Sequence, residues 1–148
     1  MVPIGGVLKK ILAQTVIKEN QDDYSIVFID PGQKNEALDL LMNLKPFNSY
    51  TITSDEVSLV LRSSDWAKLS GSFPKNRTEE PYRLITFDIV LDLSLVGFLS
   101  VVSTALAESG VSVYAISTYL KDHILVKKQD AAKAIRVLNS LIAEARVE

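Results

Sequence analysis

The sequence predicts an α+β protein of two small modules, each an antiparallel sheet with helices on one face. Three observations predict it. Residues 82–146 show a strand–helix–strand–strand–helix order, and residues 24–62 repeat its first four elements. Between them, residues 64–81 collect Ser, Gly, Pro, Asn and charge, the composition of a linker. A chain of 148 residues suffices for two such modules. The expected division is a first module over 1–63, a linker over 64–81 and a second module over 82–148.

Taken in order, residues 5–17 open the chain. Val7, Leu8, Ile11 and Leu12 suit a helix while residues 13–17 suit a strand, and we read a helix. Residues 24–30 read as a strand closed by Pro31-Gly32. Residues 35–44 read as a short helix with Leu38, Leu41 and Met42 inward, ended by Pro46. Residues 48–53 and 56–62 read as a hairpin turning at Ser54-Asp55. Trp66 in the linker reads as an anchor for that segment.

In the second module, Ile85, Phe87, Ile89 and Leu91 share one face of a strand over 82–91. Residues 94–109 follow as a helix in which Leu95, Leu99, Val102 and Leu106 recur at helical spacing. Val96, Phe98 and Val101 widen its apolar surface, so one face packs on its own sheet and the rest needs a second module or chain. Gly110 stands where a helix C′ residue belongs. Residues 111–119 and 123–128 read as hairpin strands turning through Leu120, Lys121 and Asp122. A final helix over 130–146 turns Ile135, Leu138, Ile142 and Ala145 to one side. The right-handed crossover rule leaves a ferredoxin-like βαββαβ sandwich as the economical solution.

Composition narrows the function. Hydrophobic residues make up 47% and charged residues 23%, so the chain folds rather than remaining disordered. With a net charge of −2 it lacks the basic excess of a nucleic-acid binder. There is no cysteine and one histidine, His123, which leaves no thiol chemistry, no zinc-thiolate site and no second histidine for a metal. No apolar run reaches the ~18 residues of a membrane span. Lys9 and Lys10 interrupt the N-terminal apolar stretch, so no leader is expected and the reading is cytoplasmic. Asn76-Arg77-Thr78 matches a glycosylation sequon by chance on that reading. No GxxxxGK[ST] or GxGxxG occurs, and no cofactor is expected. Asp122 and His123 are adjacent, so on a strand they point to opposite faces and make a poor catalytic dyad.

Two places carry polar chemistry. Gly97, with Ser94 before it, lies between a strand end and a helix start, where free N–H groups can hold an anion. The same residues fit a plain helix cap and tight packing, which are commoner. Thr118 and Asp122 flank a hairpin tip and fit equally a ligand site or a solvated turn.

The run 92–128 resembles an ACT domain. The residues that carry the resemblance are Ser94-Leu95-Val96-Gly97, then Leu106-Ala107-Glu108-Ser109-Gly110-Val111-Ser112-Val113, Ile116-Ser117-Thr118 and Asp122-His123-Ile124-Leu125-Val126. In the first half, residues 53–60 resemble the corresponding hairpin. The likeness is to tandem ACT-domain proteins, the branch that includes the eukaryotic cytosolic arginine sensor and small bacterial ACT proteins. Ser94 and Val96 stand where metabolic ACT domains often carry Asn and Pro, and Lys121 where many bacterial members carry Thr. The resemblance implies ACT-type modules and a regulatory or sensor protein without catalysis, whose ligand is a small molecule such as an amino acid. It implies ligand-binding residues Ser94, Leu95, Val96 and Gly97 on one side and Ile116, Ser117, Thr118 and Asp122 on the other. A homodimer is expected through helix 94–109, with no nucleic-acid or membrane partner. A pure assembly module with a vestigial site is the alternative. An acyl phosphate hydrolase would want an Arg in loops 30–35 or 91–95, and neither contains one.

Overall fold

The computed structural model describes residues 5–147. Its elements run α1 (Gly6–Gln14), β1 (Ile17–Ile29), α2 (Lys34–Met42), β2 (Ser49–Ile52), β3 (Val57–Arg62), α3 (Ser63–Leu69), β4 (Asn76–Phe87), α4 (Phe98–Glu108), β5 (Tyr114–Ser117), β6 (Asp122–Lys127) and α5 (Ala131–Arg146). The chain is thus α+β, with its hairpins antiparallel. It divides into two units, one of Met1–Asn20 with Arg83–Glu148 and the other of Gln21–Tyr82. The first twenty residues therefore group with the C-terminal part of the chain, an arrangement that the sequential division 1–63, 64–81, 82–148 does not contain.

Within Gln21–Tyr82 the strand order is β2-β3-β1-β4. β3 pairs antiparallel with β1, Ile29 opposite Val57, and with β2, Ile52 opposite Val57. Val27, Ile29, Leu41, Leu59, Trp66 and Phe73 make the core. Residues 64–81 are not a linker: they form α3, a 3-10 turn at Ser70–Ser72 and the first half of β4. Trp66, Leu69 and Phe73 at i, i+3 and i+7 put one apolar stripe on the core, and the Trp66 and Phe73 rings lie 6.0 Å apart. The polar residues between them hide this periodicity. In α2 only Leu41 of the three side chains expected inward is buried; Leu38 and Met42 are exposed, and Ala37 packs instead. Arg62 staples the loop after α2, donating to Asp22 Oδ2 at 2.8 Å and to the carbonyls of Lys45 and Pro46 at 2.6 Å.

The other unit contains α1, the beginning of β1, the end of β4, then α4, β5, β6 and α5, with strand order β1-β4-β6-β5. The strand–helix–strand–strand–helix order expected for 82–146 is present. β5 and β6 pair antiparallel, Ser117 opposite Asp122 and Tyr114 opposite Leu125. Ile85, Phe87, Phe98, Val102, Leu106 and Ile124 are central to the core, joined by Leu8 and Leu12 of α1 and Ala134 and Leu138 of α5. α4 packs on α5, and Leu8 of α1 approaches Gly97 at its start. Much of its apolar surface is thus covered inside its own unit. α4 ends in a Schellman motif: Gly110 at φ 77° donates to Ala107 O at 3.0 Å, and Val111 donates to Leu106 O at 2.9 Å. That motif takes up Gly110 and Val111, and β5 runs only over Tyr114–Ser117, shorter than the strand expected over 111–119. α1 packs along α5, and Arg146 Nε donates to Ala13 O at 2.8 Å.

Candidate functional site

β4 stops at Phe87, four residues before the expected strand end. The Asp88 N–H donates to Val16 O at 2.8 Å, and the chain then leaves the sheet. Leu91 N–H donates to Leu120 O at 2.8 Å, which ties this loop to the hairpin tip. Asp92 makes an Asx turn, its Oδ1 accepting from the Ser94 N–H at 2.8 Å and from the Ser94 hydroxyl. Ser94 is therefore a turn residue; it does not cap the helix. These two donors hold the Asp92 carboxyl below the usual carboxylate range.

α4 begins at Phe98, later than position 94, because Gly97 is its N-cap in the left-handed region at φ 95°. Glycine is required there by the backbone itself, and an added Cβ would also meet Leu8 Cδ2 at 3.3 Å. Leucine at 97 would therefore strain the backbone as well as fill space. The N-cap makes no side-chain hydrogen bond to α4 and the first turn holds no acidic residue, so the partial positive charge of its opening N–H groups is not offset there.

The hairpin opposite turns over Thr118–Lys121. Thr118 donates to Lys121 O from both its N–H and its Oγ1, each at 2.9 Å. The other unit repeats this turn: Thr53 N–H donates to Glu56 O at 2.9 Å, and Thr53 Oγ1 lies 3.5 Å from the same oxygen. Thr118 thus corresponds to Thr53, and its hydroxyl proton is committed to fixing the turn. Lys121 reaches away to Asp88, Nζ to Oδ1 at 2.6 Å, and Lys18 Nζ stands 2.9 Å from Oδ2. Sequence reasoning missed Asp88 and Asp92 because their roles depend on the loop between β4 and α4.

Between loop and hairpin lies a cleft of about 280 Å³. Of the expected residues it brings together Leu95, Gly97, Ser117, Thr118 and Asp122, with Leu91, Leu93 and Leu99 adding apolar wall. Ser94 and Val96 instead line a neighbouring groove of about 980 Å³ with Val7, Leu8 and Ile11 of α1; Leu95 and Gly97 border both. Ile116 lines neither and stands opposite His123 in the hairpin. Among the described residues, Asp92 and Asp122 form no ion pair, and no three His, Asp or Glu side chains gather to hold a metal.

Two lysines hold the Asp88 carboxyl down to about 2 from an ordinary 3.8. A depressed carboxylate stabilises the fold above its unfolded value and loses that contribution as pH falls through its folded value. Asp88→Asn should therefore flatten the dependence of melting temperature on pH between about 4 and 2; a slope equal to the parent's would refute the pairing. His123 shifts downward, chiefly by burial, with the Lys121 ammonium adding and the Asp122 carboxylate opposing. Its Nδ1 lies 2.8 Å from Thr86 Oγ1.

Residues 77–140 match the ACT domain family model. This ACT-like segment holds the whole of α4, the hairpin and the cleft between them. Solved structures share the fold over most of the chain. A Vibrio cholerae protein of unknown function, described as a possible transport protein, aligns with TM-score 0.72 at 23% identity over 92% of this chain and 96% of its own. An Agrobacterium tumefaciens protein aligns with TM-score 0.69 at 22% identity over 86% and 89%. The regulatory subunit of aspartate kinase from Thermus flavus aligns with TM-score 0.65 at 12% identity over 84% and 95%. At these identities the likeness establishes the fold alone. No curated protein sequence matches the chain. No helix among the described residues is long and apolar enough to cross a membrane.

Proposed function

We propose that the chain is a non-catalytic regulatory module that binds a small aliphatic L-amino acid in the cleft between the start of α4 and the β5–β6 hairpin. The observation that carries this reading is the chemistry of the cleft's two walls. The uncapped start of α4 offers N–H donors to a ligand carboxylate. The unpaired Asp122 carboxylate offers a partner to an ammonium. Leu91, Leu93, Leu95 and Leu99 supply apolar surface between them. Pockets for drug-sized ligands span ~300–1,000 Å³, so a cleft of about 280 Å³ suits a smaller ligand. The ACT match over 77–140, and a fold shared with an aspartate kinase regulatory subunit, support a ligand-responsive module without chemistry of its own. The homodimer belongs to the same reading, supported by exposed Val90, Leu93 and Val96 beside the cleft.

The test is a thermal-shift panel of the twenty L-amino acids. A binder at 100 times its dissociation constant adds ~2.7 kcal/mol of stability. Leucine, isoleucine, valine or alanine should raise the melting temperature, and aspartate and glutamate should not. A flat panel would favour the assembly reading.

A further inference from the structure

We propose that Asp88 is a positioning residue for this cleft: by holding the Lys121 ammonium it keeps that cation off Asp92 and Asp122, leaving their negative charge for the ammonium of an α-amino acid. The inference rests on the binding reading above and specifies how the site selects its ligand.

Lys121 borders the cleft together with Asp92 and Asp122. A lysine so placed is the natural intramolecular counterion for those carboxylates. It would compete with a ligand ammonium for the same oxygens. Instead its Nζ lies 2.6 Å from Asp88 Oδ1. Asp88 is outside the cleft, on the short stretch where the chain leaves β4. Lys18 binds its other oxygen at 2.9 Å, which fixes the orientation of the carboxylate. The Lys121 ammonium and the Asp122 carboxylate act on the same His123 ring, in opposite senses. Removing the Asp88 charge frees a tethered cation beside Asp122. The tether gives that cation a high local concentration, so it occupies the site ahead of a dissolved ligand.

The arrangement therefore favours ligands that bring their own ammonium. A 2-oxo acid of the same carbon skeleton would leave both carboxylates unmatched.

The experiment measures binding of L-leucine, L-isoleucine, L-valine, L-alanine and 4-methyl-2-oxopentanoate by calorimetry to the full chain, to Asp88→Asn and to Asp88→Asn/Lys121→Met. Asp88→Asn should weaken the amino acid by roughly tenfold or more, the span expected when a charge-assisted contact must be competed away. The double variant should recover binding to within about threefold of the parent, because the competing cation is gone. A merely structural role for Asp88 would predict that the double variant binds no better than the single. A crystal structure of Asp88→Asn without ligand should place Lys121 Nζ against Asp92 or Asp122. Asp88→Asn binding like the parent, a double variant as weak as the single, or a Lys121 ammonium directed to solvent would overturn the inference while leaving the binding reading standing. A parent that binds none of the five compounds would overturn the binding reading and the inference with it.

Discussion

Leu106→Ala should lower the free energy of unfolding by about 2–5 kcal/mol, measured by urea denaturation at neutral pH. Leu106 is fully buried at the middle of the core that α4 shares with Phe87, Ile124 and Leu138. Alanine keeps the helix, since it is the best helix former, and keeps the Leu106 carbonyl that receives the Val111 N–H of the Schellman motif. What is lost is the packing of three side-chain carbons in a region where α1, α5 and the sheet all converge and cannot collapse independently. Val96→Ala is the internal comparison. Val96 is 84% exposed, so its truncation should change stability by no more than about 0.5 kcal/mol. If the two variants unfolded at the same urea concentration, the burial described for α4 would be wrong.

Asp122→Ala should weaken the best amino-acid ligand by roughly 10- to 150-fold, the loss of a charge-assisted bond worth ~1.5–3 kcal/mol. The residue stands at the first position of β6, paired with Ser117, where its backbone is fixed by the strand whichever side chain it carries. The substitution should therefore leave the melting temperature of the unliganded protein nearly unchanged. Asp55→Ala should leave affinity unaffected, and the reason lies in the repeated turn. Thr53 matches Thr118 by hydrogen bonding, so the counterpart of Asp55 is Leu120 and the counterpart of Asp122 is the buried Val57. Asp55 and Asp122 are therefore out of step by two residues. Equal affinities for the parent and Asp122→Ala in calorimetry would remove the carboxylate from the site.

The sequence made the strand–helix–strand–strand–helix order legible wherever burial enforced a period. Phe87, Val102, Leu106, Leu138 and Ile142 all stand at positions that the apolar spacing picked out, and all are buried. Gly110 was readable because a helix end leaves carbonyls that only a left-handed residue closes cheaply. Three things were hidden. The first half of β1 is Lys, Glu, Asn, Gln and Asp, with little apolar alternation to betray a strand. α3 buries only Trp66 and the first half of β4 buries nothing, so in composition they resemble a linker. The loop at 88–97 is set by Asp92 bonding to Ser94 and by Leu91 bonding to Leu120, contacts between residues whose proximity no local pattern encodes. For the candidate site, the family likeness pointed to both walls, and five of the eight expected residues line one cleft. It missed Asp88 and Asp92 because their partners are fixed by tertiary structure.

The grouping of the first twenty residues with the last sixty-six has a consequence for how the chain is made. Synthesis proceeds from the N-terminus, so α1 leaves the ribosome long before the helix it packs against. The Arg146–Ala13 bond joins residues 133 positions apart. Leu8 and Leu12 must therefore wait for their full cover until α5 has emerged. Residues 21–82 are complete much earlier and carry their own core, so that unit can settle before α5 has been made. The unit that holds the cleft is closed last, when α5 meets α1.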